Sequence, residues 1–235
     1  MRLWVVLTPA AIALAGCGKN PLPDLRSDGT NAALTEVTVT SDRVILRGPD
    51  GFCVDPASSN HKPSKAFMVF GNCAAIAADE ELPQPFINAI VTATVLPAGR
   101  EQPRIAHSSV ALASFFESDA GKAALSASGN ANSVEILDSF SRNNAFFIHA
   151  RDKSAPVVPG TENTYWRGYF DVKKSVVTVS VFGLKSAPVS SSEGLQTLYD
   201  FGNALLEGQE QDETGATPAK AGDVAHTGLL RRIFG

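Results

Sequence analysis

Tyr165-Trp166-Arg167-Gly168-Tyr169-Phe170-Asp171-Val172, then Lys173-Lys174, then Ser175-Val176-Val177-Thr178-Val179-Ser180-Val181-Phe182 is the stretch that decides the fold. Aromatic and β-branched residues dominate both sides of a two-residue polar break, which is the pattern of strand, turn, strand. A hairpin is therefore predicted, Tyr165–Val172 against Ser175–Phe182. The aromatic run has two readings: a stacking platform for a glycan or peptide, or the alternating aromatics of a strand with one face in the core. The second is favoured.

Working outward, Val134–Phe140 and Ala145–Arg151 form a second predicted hairpin across Ser141–Asn144. Ser190-Ser191-Ser192-Glu193 opens like a capping box. Leu195, Leu198, Tyr199, Gly202, Leu205 and Leu206 follow at helical spacing and predict an amphipathic helix over Ser192–Glu207. Ser109–Phe116 and Ser118–Ser126 predict short helices, the latter capped by Ser118 and weakened by Gly121. Nearer the N-terminus, Glu36–Thr40, Ala66–Phe70 and Ile87–Leu96 read as strands. Gly48-Pro49-Asp50-Gly51 predicts a turn joining Arg43–Arg47 to Phe52–Val54 as a hairpin, because Pro presets φ and Gly accepts positive φ. Strands with helices between and after hairpins imply an α+β fold: one domain over 35–207, a largely antiparallel sheet with helices packed on it. The order helix, hairpin, hairpin, helix is similar to the PsbP-type sandwich, a resemblance of element order that carries no shared motif residues.

Ahead of the domain, Arg2 precedes the apolar run Leu3–Ala13 and the small residues Ala13, Ala15 and Gly16. That is the layout of a secretory signal, and the run is too short to span a bilayer, which takes roughly 20 apolar residues. Leu14-Ala15-Gly16-Cys17 resembles the lipobox of bacterial lipoproteins at every position. The resemblance implies a signal peptide over 1–16 and a Cys17 bearing a diacylglyceryl thioether, with acylation, typically palmitate, of the new amino group. Several acyl chains exceed the two-signal requirement for stable membrane anchoring. Gly18 stands where members retained on the inner membrane carry Asp, so the resemblance implies the periplasmic face of the outer membrane. Two alternatives stay open: Ala13-Leu14-Ala15 as an ordinary A-x-A cleavage site, and an uncleaved anchor. Residues 17–34, with two prolines and scattered polar residues, read as a flexible tether.

Setting Cys17 aside leaves Cys53 and Cys73. In an oxidising compartment their default state is a disulfide, closing a loop of roughly 20 residues and worth about 3 kcal/mol. Redox and metal readings are weaker, since there is no C-x-x-C and no His at metal-finger offset. His61, His107, His149 and His226 are far apart, and no metal or cofactor is expected. His107-Ser108-Ser109 lacks a G-x-S-x-G or S-x-x-K context. No G-x-G-x-x-G, P-loop or zincin helix occurs. Asp79-Glu80-Glu81 reads as a solvated loop. The formal charge is −4, one unit more negative once Arg2 is removed, and lacks the basic footprint of a nucleic-acid binder.

From 208 to 227 the chain is polar and predicted to be disordered. Leu229, Leu230, Ile233 and Phe234 then share a helical face, with Arg231 and Arg232 opposite, forming an apolar-basic plug over 228–235. Such a plug fits docking on an envelope partner or a membrane toe-hold, and equally folding back on its own domain. These features favour a non-enzymatic, envelope-anchored binding or accessory module. An envelope hydrolase with scattered catalytic residues is the alternative, and a peptidoglycan-binding structural lipoprotein is a third, less specific reading.

Overall fold

A computed structural model describes residues 33–99, 103–156 and 158–214. The first strands, β1 (Glu36–Val39) and β2 (Val44–Arg47), pair antiparallel as a two-stranded sheet, with Val39 opposite Val44. Thr40 and Arg43 take positive φ at their connection. Alternation along β1 and β2 buries Val37, Val39, Val44 and Leu46. Leu34, counted in the tether on sequence, already belongs to the fold: its carbonyl accepts the Val54 N–H at 2.7 Å.

The second sheet has eight strands, all paired antiparallel. They are β3 (Phe52–Val54), β4 (Asn60–Lys62), β5 (Lys65–Asn72), β6 (Ala89–Pro97), β7 (Val134–Arg142), β8 (Ala145–Asp152), β9 (Thr161–Val172) and β10 (Ser175–Leu184). The spatial order is β3-β5-β6-β10-β9-β8-β7, with β4 paired to β5. The two hairpins read around Tyr165–Phe182 and Val134–Arg151 are present. The β7–β8 turn is tighter than expected, reduced to Asn143-Asn144, both at positive φ, which suits the right-handed twist of a two-residue hairpin.

The expected hairpin across Gly48–Gly51 does not form. The turn itself exists: the Phe52 N–H donates to the Pro49 carbonyl at 3.0 Å, and Gly51 has φ 83°. Its two arms part, however. Gly48 N–H bonds to Thr35 and extends the β1–β2 pairing, whereas Phe52, Cys53 and Val54 pair with Asn72, Gly71 and Phe70 of β5. Turn chemistry reverses the chain, but the tertiary competition for partners decides which strands bond. Cys53 and Cys73 are disulfide-bonded and buried, fastening β3 to the end of β5.

Helices cover both faces of the large sheet. Four α-helices are described: α1 (Cys73–Ala77), α2 (Ser109–Glu117), α3 (Asp119–Leu125) and α4 (Ser191–Thr214). Ser118 caps α3 by accepting the Gly121 N–H at 3.2 Å. Gly121, read as a weakness, is instead a requirement, because a Cβ there would collide with the Phe115 carbonyl. On one face, Leu198, Phe201 and Leu205 of α4 pack with Phe70, Val91 and Phe170, and the β1–β2 valines complete this core. On the other, Phe116 and Leu125 meet Phe146, Ile148, Tyr165 and Phe182, with Ile105 from a short helical turn beside them. The aromatic strand was expected to bury one face. It buries both, Tyr165 toward α3 and Trp166 and Phe170 toward α4.

The last helix exceeds its expected end at Glu207, and residues 208–214, expected to be disordered, are helical. Glu and Gln are good helix formers, and Gln209 gains a tertiary anchor. Its amide accepts the Ile45 N–H at 3.1 Å and donates to the Ile45 and Leu205 carbonyls at 2.7 and 2.9 Å. One side chain thus satisfies both outward-facing backbone groups at Ile45 on β2. The tether over 17–32, the tail over 215–227 and the plug over 228–235 lie outside the described residues.

Candidate functional site

Strand β9 carries the chemistry of both faces, because alternation sends Trp166 toward α4, and Tyr165, Arg167 and Tyr169 toward α2 and α3. A cleft of about 230 Å³ opens on the α4 side, lined by His149, Glu162, Thr164, Trp166, Ser190 and Ser191. His149 stacks on Trp166, with ring centroids 4.5 Å apart and planes 7° from parallel. The Trp166 indole N–H donates to the Ser191 carbonyl at 2.9 Å and its hydroxyl at 3.2 Å. Ser190 is spent on the predicted capping box: its hydroxyl donates to Glu193 at 2.6 Å, and Glu193 accepts the Ser190 N–H at 3.0 Å. Glu162 accepts the Val189 N–H at 3.1 Å.

A His, two serines and a carboxylate therefore share this cleft without forming a catalytic relay. Among the described residues no hydrogen bond joins His149 to a serine or a carboxylate, so no hydroxyl has a base within reach. Burial pushes the His149 pKa down, Asp138 opposes the shift and Arg151 adds to it. A bulge between Ile136 and Asp138 accounts for the Asp138 contact. The extra residue flips the strand, so Ile136 faces the α3 core while Asp138 and Phe140 face the α4 side. Of the other histidines, His61 lies on β4 and His107 is exposed before α2, while His226 lies outside the described residues. Ser108 donates to the Arg104 carbonyl at 2.7 Å, and His107-Ser108-Ser109 is simply a helix entrance.

On the opposite face lies a smaller pocket of about 90 Å³, bordered by Leu125, Asp152, Asn163, Tyr165, Arg167 and Phe182. Asp152 is buried and accepts four hydrogen bonds, from the Ser133 and Ser154 hydroxyls at 2.6 and 2.7 Å and the Ala127 and Ser154 N–H groups at 2.7 and 3.0 Å. Burial raises its pKa, but the bonds from Ser133, Ser154 and Ala127 outweigh that and hold the carboxyl at about 2. The Tyr165 hydroxyl donates to the Leu125 carbonyl at 2.8 Å, and burial pushes its pKa to about 12 against the opposing charge of Arg167.

Arg167 sits between the two tyrosines. Its guanidinium lies 5.0 Å over the Tyr165 ring, its Nε–H donates to the Ser180 hydroxyl at 2.8 Å, and it reaches the Tyr169 hydroxyl. Among the described residues no carboxylate lies within ion-pair distance of it. Sequence reading treated Tyr165–Phe170 only as aromatic; the i, i+2 spacing of Tyr165, Arg167 and Tyr169 was the available signal that the cation shares their face. Asp152 gave no such signal, since its donors come from separate loops.

Of the residues singled out on sequence, Cys53 and Cys73 are brought together. Cys17 and the plug residues Leu229, Leu230, Arg231, Arg232, Ile233 and Phe234 lie outside the described residues. Comparison of the chain with protein-family models, curated proteins and solved structures finds no match.

Proposed function

We propose that the protein is a lipid-anchored binding module of the bacterial envelope, held at the periplasmic face of the outer membrane through Cys17. The observation that carries this reading is the lipobox Leu14-Ala15-Gly16-Cys17 on a chain whose remaining two cysteines are bonded and buried. A buried structural disulfide belongs to an exported protein, and the acylated Cys17 supplies the attachment that a mildly acidic chain does not obtain from anionic lipid. The clefts beside β9 favour binding over hydrolysis, since the one containing His149 holds its serines in capping and indole contacts.

The test is metabolic labelling with a palmitate analogue in a bacterial host, followed by membrane fractionation. Wild type is expected to carry the label and sediment with the outer membrane. Cys17→Ala should lose the label and enter the soluble fraction, because Ala13-Leu14-Ala15 remains for ordinary cleavage. An unlabelled wild-type chain beginning at Gly16 would overturn the anchor.

A further inference from the structure

We propose that the pocket between β9 and α3 is a receptor for a small organic carboxylate, bound end-on by the Arg167 guanidinium. Arg167 is part-buried and has no ion-pair partner among the described residues. Its orientation is nonetheless held. The Tyr165 ring lies under the guanidinium plane, and Nε is fixed by Ser180. With Nε bound to Ser180 and one further contact to the Tyr169 hydroxyl, the remaining terminal N–H groups are the ones that would meet a carboxylate with two parallel N–H···O bonds.

The surroundings select the class of anion. Among the described residues Arg167 is the one cation bordering the pocket; two carboxylates border it as well, Asp152, committed to four donors of its own, and Glu162. The Glu162 carboxylate is already committed to the Val189 N–H at 3.1 Å. A single cation with carboxylates already on the rim disfavours a phosphate dianion and leaves room for a monoanion only. Opposite the polar groups stand Ala124, Leu125, Pro156 and Phe182, an apolar wall for a short aliphatic chain. A pocket of about 90 Å³ holds several water-sized atoms, at one per roughly 10–15 Å³, so the ligand group is small. This assignment gives a ligand class to the binding module proposed above and rests on that reading only for its cellular setting.

The experiment titrates the full-length chain in detergent with sodium propionate at constant ionic strength, following the Arg167 Nε–H and the β9 amides by NMR. Saturable shifts confined to this pocket in the millimolar range are expected. Arg167→Lys keeps the charge but loses the two-pronged geometry, and should weaken binding at least about tenfold. Titration of wild type needs no variant to fold, and it decides first. No saturation into the high millimolar range, tighter saturation by inorganic phosphate, or unchanged affinity in a folded Arg167→Lys would each overturn the proposal. None of these outcomes depends on the Cys17 label, so failure of the pocket and failure of the anchor are separately visible.

Discussion

Asp152 ties three loops to the end of β8, and its carboxylate is charged because the fold supplies donors for it. Depression from 3.8 to about 2 corresponds to about 2 kcal/mol of stabilisation when the group is ionised. The sign follows from the direction: a carboxyl depressed on folding stabilises the native state above its unfolded pKa. That contribution drains as pH falls from about 4 through about 2. Asp152→Asn keeps one acceptor oxygen and turns an amide N–H toward groups that already donate. The variant should lose about 2 kcal/mol at pH 7, and its deficit against wild type should shrink toward pH 2. Urea unfolding at both pH values measures this; a deficit independent of pH would remove the charge from the explanation. Of the four donor groups only those of Ser154 are local in sequence, at i+2, which is why Asp152 was not legible beforehand, whereas the i, i+2 spacing of Tyr165, Arg167 and Tyr169 stood in the sequence but was read as aromatic only.

Individual elements were legible wherever neighbouring residues settle the matter. The Ser190–Glu193 capping box starts α4 where the sequence places it, and Lys173-Lys174 and Asn143-Asn144 turn their hairpins. Misreadings arose where distant residues decide. Gly48–Gly51 turns the chain, yet β5 and not β2 receives β3. The bulge in β7 answers to two separate cores, so no single alternation describes that strand. Past Glu207 the polar composition concealed a helix, because Gln209 finds its partners 164 residues away at Ile45. Close approach of α4 to β9 was equally non-local: a Cβ at Gly202 would come within 2.8 Å of the Phe170 ring. Gln209 provides the direct check on the helix end. Gln209→Glu preserves an acceptor for the Ile45 N–H but can no longer donate to the Ile45 and Leu205 carbonyls, and sets a carboxylate against both. Leaving buried carbonyls unpaired costs about 1–3 kcal/mol. A loss of that size is expected in chemical denaturation, together with faster amide exchange at Ile45. Wild-type stability in this variant would mean that the end of α4 contributes nothing to the fold.

At the scale of the whole molecule, sheet and helices form a two-core body whose short edge strand β3 pairs with β5 over three residues, takes one bridge from Leu34 and carries one covalent link. Phe52 and Val54 are buried beneath α4 and β1, with the Phe52 and Phe201 rings 5.0 Å apart, so detaching β3 uncovers the larger core. The bond joins residues 20 apart, and in the chain-entropy model such a loop is worth about 3 kcal/mol. The double variant Cys53→Ala, Cys73→Ala is therefore expected to unfold at lower denaturant, by about 2–4 kcal/mol. The same pair makes thiol counting a readout of the other end of the chain. With Cys53 and Cys73 bonded, only Cys17 can present a thiol. Alkylation of the denatured, unreduced mature protein should modify no cysteine if Cys17 is a thioether, and one if the chain was cut before Gly16 and left unmodified. After reduction both forms should gain two further modifications. A single alkylated cysteine before reduction retains the fold described here but removes the anchor. Two more reactive thiols before reduction would instead break the link between β3 and the rest of the sheet.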